Sequence, residues 1–159
     1  MSNMVKSGIL LGVLVEVWTA VVILLRWHLD PALMMLFFLV IPLQITILVL
    51  ALRKAAATAT YGRQVVNGVV LSAVAAAIIF VGAWLMTTVV FPTYFPDLRA
   101  AGEAALAKMG RTPEQIAAEM TKNAAMYEPV GNAMSGAIAT VVTGLVVSLV
   151  AAAFLRRKA

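Results

Sequence analysis

Cysteine is absent from the 159-residue chain, histidine occurs once, at His28, and only 12% of the residues carry a charge. The first absence removes any disulfide framework, thiolate nucleophile or cysteine-based metal site. The second removes the histidine clusters on which most transition-metal and haem centres depend. The scarcity of charge says more. A soluble domain carries roughly 25% charged and 45–50% apolar residues, whereas this chain is 63% apolar with a mean hydropathy of +0.99. A core of this size cannot hide such an excess from water, so residues 1–159 read as a single membrane domain. The net charge of +5 does not point to nucleic acid, because the basic residues stand at the ends of apolar runs, where they set topology.

What the chain has in abundance is long apolar sequence. A helix needs about 20 apolar residues to cross about 30 Å of hydrocarbon, and four stretches qualify. The first runs from about Val5 to Leu25, between Lys6 and Arg26, and is too long for the roughly 7–15-residue core of a cleaved signal; it is expected to stay attached. The second opens at Asp30-Pro31, a carboxylate cap followed by proline at the first helical position, and ends at Leu52. The third runs from about Gln64 to Val90 and stops at Phe91-Pro92. The fourth runs from Gly131-Asn132 to Leu155. Lys6, Arg53, Lys54, Arg63, Arg156, Arg157 and Lys158 put seven basic residues on one side, against Arg26 alone in the first loop. Both termini are therefore expected in the cytoplasm of a bacterial inner membrane. Trp27, Phe91, Tyr94, Phe95 and Tyr127 fall near the outer boundary, as an aromatic belt requires.

Between Pro92 and Pro129 the sequence turns polar, and residues 92–130 form an extracytoplasmic loop with helical punctuation. Leu98, Ala101, Ala105 and Met109 recur at three- and four-residue spacing, and Ile116, Met120, Ala124 and Tyr127 do the same. Gly110 is a helix stop, Thr112 an N-cap, Pro113 a first helical residue and Gln115 the capping-box partner. The fold expected is an all-α, four-span membrane protein with a short helical hairpin capping it between the third and fourth spans. The hairpin is either a docking surface for a partner or a lid over the outer helix ends.

Several segments carry a family resemblance. They are Lys6-Ser7-Gly8-Ile9-Leu10-Leu11-Gly12, Tyr61-Gly62-Arg63-Gln64 with Asn67-Gly68, Phe91-Pro92-Thr93-Tyr94-Phe95, and Thr112-Pro113-Glu114-Gln115-Ile116. With these segments in this order the chain resembles, over most of its length, a bacterial domain-of-unknown-function family of small four-helix inner-membrane proteins. The resemblance implies no activity, cofactor or catalytic residue.

Glu16 is the one acid inside a span. An acid at a helix centre costs about 2.5–3.5 kcal/mol on insertion scales, and each Leu, Ile, Val or Phe returns about 0.3–0.6. Twelve such residues between Ile9 and Leu25 keep the span insertable. With no Lys or Arg at its depth, Glu16 is expected as the neutral acid, either a hydrogen-bond donor between helices or a proton carrier. Counting about 1.5 Å per residue from the flanking basic residues places Glu16, Gln44, Ser72, Thr143 and Ser148 in one intramembrane polar layer. A small-residue ladder, Asn132, Gly136, Thr140, Gly144, Ser148 and Ala152, runs along the fourth span, and Gly8 with Gly12 and Gly68, Ser72 with Ala76 give similar faces. Such ladders let helices approach closely, within the bundle or between copies of the chain. Pro42 is expected to kink the second span. His28 belongs to the interface, and the nine methionines to packing. No phosphate loop, nucleophile elbow or carboxylate pair is present. The sequence therefore points to a non-enzymatic structural or accessory membrane subunit without cofactor, in contact with the lipid bilayer and with copies of itself or a larger membrane complex. The alternative is a small proton-coupled transporter or channel using Glu16.

Overall fold

The computed structural model describes residues 2–155. It is all-α among those residues, with four helices long and apolar enough to cross a membrane: Asn3–Leu24, Pro31–Ala55, Tyr61–Val90 and Pro129–Leu155. Each extends a few residues beyond or short of its expected limit, as helix ends do. Arg156, Arg157 and Lys158, which the sequence assigns to the cytoplasmic end, lie outside the described residues.

Helix α1, Asn3–Leu24, starts at Ser2, whose hydroxyl accepts from the Val5 amide. The chain then turns through Arg26, the one non-glycine residue with positive φ (56°) among those described, into a 3₁₀ turn, Trp27–Leu29. The Asp30 carboxylate accepts from Ala32 N at 2.8 Å and opens the second span. This span is not one continuous α-helix. A helical turn, Pro31–Met34, leads into a 3₁₀ run, Met35–Leu39, and only then into helix α2, Val40–Ala55. The cause is Pro42, which has no amide to offer the Phe38 carbonyl and whose ring crowds it; the turn before it tightens. The Trp18 indole of α1 takes the Leu36 carbonyl of that run at 3.2 Å.

Helix α3, Tyr61–Leu85, is capped by Thr60 and continues into a π-helical turn, Met86–Val90. Thr87 Oγ1 donates to the Ala83 carbonyl at 2.7 Å and Thr88 Oγ1 to that of Trp84 at 2.6 Å. Hydroxyls that occupy carbonyls of the preceding turn loosen the backbone ladder, and Phe91 N reaches back five residues to Met86 O. The cap follows as α4, Tyr94–Lys108, and α5, Pro113–Lys122, then a 3₁₀ turn, Ala124–Tyr127. Helix α4 closes in a Schellman motif: Gly110 at φ 78° lets Arg111 N bond Leu106 O and Gly110 N bond Ala107 O. Thr112 and Gln115 complete the capping box, with Thr112 N donating to Gln115 Oε1 and Gln115 N to Thr112 Oγ1. Helix α6, Pro129–Leu155, is the fourth span.

Helix α3 is the hub of the bundle and packs most extensively on α6 and α1. A Cβ added to Gly8 would lie 2.6 Å from Leu71 O, and one at Gly12 2.8 Å from the Ile78 Cβ. The α1 glycines therefore seat directly on the α3 backbone, with both helices running the same way. The core beneath is Leu11, Val15, Leu48, Leu52, Leu71, Ala75 and Ile79. The second span is the least buried of the four, since its Leu, Ile and Phe side chains allow no comparably close approach.

Candidate functional site: the intramembrane polar groups and the cap junction

Helices α3 and α6 run antiparallel and interlock at two points. Any Cβ at Gly68 would collide with Ser148, and any Cβ at Gly144 would collide with Ser72. Each serine thus fills the notch that the other helix's glycine leaves, and both serines are fully buried. Helix α2 lies across this joint and is pinned at both ends by glutamines. Gln44 Nε2 donates to the Thr140 carbonyl at 2.7 Å, and Gln64 Nε2 donates to the Leu52 carbonyl at 3.2 Å. Between these bonds the Leu48 side chain rests 3.5 Å from where a Gly68 Cβ would stand. Ser148 Oγ returns its proton to Gly144 O at 2.6 Å. Ser72 Oγ and Gln64 Oε1 are buried without a hydrogen-bond partner.

Of the polar side chains expected to share one layer, the structure brings together Gln44, Ser72 and Ser148. Thr143 is partly buried, and it is the Thr140 carbonyl that receives Gln44. Thr140, Gly144 and Gly136 of the ladder turn inward, Gly136 toward Ile79. Glu16 stands apart. Its carboxyl lies over Gly82 of α3, where a Cβ would come within 2.5 Å of the carboxyl carbon, and its Oε2 is buried without a partner. The register explains the difference. Gly8 sits beside Leu71 and Val74, so Ser72 is level with Gly8, eight residues or about 12 Å from Glu16 along the axis. Lys6 and Arg63 do not mark one plane, because long basic side chains reach the interface from different depths.

Two features escape a reading of composition and spacing. One is Gly82, an ordinary-looking glycine whose missing side chain makes the room for Glu16. The other is a repeat. Val65–Ala77 and Val141–Ala153 align without gaps, and 9 of 13 positions are identical: VVNGVVLSAVAAA against VVTGLVVSLVAAA. Gly68 aligns with Gly144 and Ser72 with Ser148, so a contact between Gly68 and Ser148 implies its mirror between Gly144 and Ser72. Both contacts are present. Comparing the spans with one another, rather than with templates, is the signal that finds it.

At the end of the bundle that carries the cap, the first loop meets α4. The His28 ring stacks on Tyr94, with centroids 4.8 Å apart and planes 23° apart. Arg26 faces Asp97 at 3.9 Å. His28 is only 8% exposed, and burial lowers its pKa below the ordinary 6.5, with Arg26 adding to the effect and the Val22 carbonyl and Asp97 opposing it. Burial raises that of the Tyr94 phenol. A second strap lies farther along α4, where the Tyr127 hydroxyl approaches Gly102 and the Arg99 guanidinium sits 5.9 Å from the Tyr127 ring centre. At the far end of the cap, the exposed Glu114 carboxyl is held below its usual range by its own backbone amide and by Thr112.

No curated protein and no solved structure matches the chain. A family model does, over residues 6–157, and it describes a protein of unknown function. That match spans all four membrane helices and the cap, and the chain accordingly belongs to the DUF4199 family.

Proposed function

We propose that this four-span protein is a non-enzymatic structural or accessory subunit of the bacterial inner membrane, with both termini cytoplasmic. It uses the exposed cap and the lightly packed second span to contact a larger membrane complex or copies of itself. The observation that supports this reading is the way the spans use their polar groups. Gln44 and Gln64 are bonded to carbonyls of neighbouring helices, and the serines of the ladder fill glycine notches. These contacts hold helices together, each glutamine bond contributing about 0.6–2 kcal/mol in a membrane. The ladder is occupied inside the chain, which leaves contact with other proteins to the cap and the second span.

The test is purification from the native membrane in mild detergent, alongside the Glu16→Gln variant. A structural subunit brings a partner, or a second copy, in fixed stoichiometry, and Glu16→Gln leaves that assembly intact. Recovery as a lone monomer from membranes that retain their other complexes argues against the proposal.

One observation favours a second reading. Glu16 offers an unpartnered carboxyl oxygen at membrane depth, and intramembrane acids commonly mark proton paths. A proton-coupled transporter loses pH-driven flux on Glu16→Gln while remaining folded.

A further inference from the structure

The junction between the first loop and the cap is built around one titratable ring. His28 lies in the 3₁₀ turn Trp27–Leu29, packed against the end of α1 and against α4. One face is covered by Tyr94, and its Nδ1 is buried with no hydrogen-bond partner. The turn that presents it begins at Arg26 in the left-handed region, a conformation that a non-glycine residue keeps only where its surroundings hold it. The turn is closed by its own backbone bonds, Arg26 N to Ile23 O at 2.9 Å and Leu29 N to Arg26 O at 3.1 Å, and α4 docks on it through the Tyr94 stack, with Asp97 facing Arg26.

We propose that the His28–Tyr94 stack is a proton-operated latch, closed while His28 is neutral and released when the compartment on the cap side acidifies. A neutral imidazole suits an apolar slot against a phenol ring, whereas an imidazolium there loses its hydration and gains no acceptor at Nδ1. The charged groups that face it are Arg26 of its own turn, which opposes a second positive charge, and Asp97 of α4, which Arg26 already engages. Asp30, two residues on, is committed to the Ala32 amide. The end of α1 brings the Val22 carbonyl, which favours the charged ring but is outweighed by burial, and its side chains there, like those of the turn Pro31–Met34, are apolar. The released ring titrates near its ordinary value of about 6.5, and the docked ring titrates lower. Release therefore takes up a proton, and the latch is at full strength above about pH 6.5 and weakens as pH falls below it. Each pH unit below that point, down to the docked value, shifts the balance toward release by up to tenfold. The second strap, Tyr127 with Arg99 and Gly102, ties α4 to the turn before α6 farther along the helix.

The native absence of cysteine makes spin labelling direct. Labels at Ala107→Cys on the cap and Ala139→Cys on α6, in the full chain reconstituted in lipid nanodiscs, report the distance between cap and bundle. The expected result is one narrow distance at pH ~8 that gives way to a longer, broader population by pH ~5. His28→Gln stays closed across the range, and His28→Lys is open throughout. Asp97→Asn still responds to pH, which assigns the effect to the imidazole. A distance that does not change with pH in the unaltered junction overturns the proposal, as does an equal response in His28→Gln.

Discussion

Placing a methyl group at Gly68 tests the central joint of the bundle. In Gly68→Ala the new Cβ collides with Ser148 Oγ and lies 2.7 Å from Ser148 Cβ. Neither atom can swing away, because Ser148 is short, fully buried and bonded to Gly144 O at 2.6 Å. The helices must move apart at this point, and overpacking of this kind costs about 1–3 kcal/mol. Alanine's better helix propensity returns up to about 1 kcal/mol, so net destabilisation of about 1–2 kcal/mol is expected. Adding Ser148→Gly removes both obstructing atoms, and the double variant is expected to show a coupling of at least about 1 kcal/mol. The mirror pair, Gly144→Ala with Ser72→Gly, should behave the same way. Reversible SDS unfolding of the full chain, followed by circular dichroism, measures all of these. A Gly68→Ala protein as stable as the unaltered one, or single effects that simply add, refutes the interlock.

A cysteine at Ala56 should resist an impermeant reagent applied from outside the cell, while one at Ala118 reacts; the reverse pattern inverts the topology. Thr112→Ala removes the hydroxyl that accepts from Gln115 N, while the backbone amide at 112 keeps its bond to Gln115 Oε1; it is expected to cost about 0.5–2 kcal/mol locally, read as faster amide exchange across Pro113–Lys122 and unchanged exchange in α3. Gly82→Ala drives a methyl group against the Glu16 carboxyl and should destabilise the α1–α3 contact by about 1–3 kcal/mol, with relief in the double variant carrying Glu16→Ala. No relief on SDS unfolding would mean that the carboxyl does not occupy that notch.

The spans and the cap are legible in the sequence because their signals are local. Charge-free runs of bilayer length bound the four helices, and Gly110, Thr112, Pro113 and Gln115 write a stop and a start within six residues. What is not legible is which residues of different helices meet, since that depends on axial register. Glu16 illustrates the point: measuring depth from Lys6 and Arg63 places it with Ser72, but close packing of Gly8 and Gly12 on α3 slides α1 along that helix until Glu16 reaches Gly82. The 3₁₀ run Met35–Leu39 follows from Pro42, which marks the disturbance without specifying its form. The π turn Met86–Val90 arises from two threonines whose hydroxyls choose backbone carbonyls only once the helix exists. His28 reads as an interfacial residue, and its partner Tyr94 lies in a different loop.

The interlock of α3 with α6 also constrains how the chain is made. The two halves of the joint are separated by the whole cap, so α3 emerges well before the helix that completes it. During that interval the Gln64 amide can already reach the α2 carbonyl of Leu52, but the Ser72 hydroxyl and the Gln44 amide face hydrocarbon, because the Gly144 notch and the Thr140 carbonyl belong to α6. A chain that ends before Pro129 therefore has three spans with an open polar seam. Helix α6, with its Gly144 notch and Thr140 carbonyl, is the one that hides it.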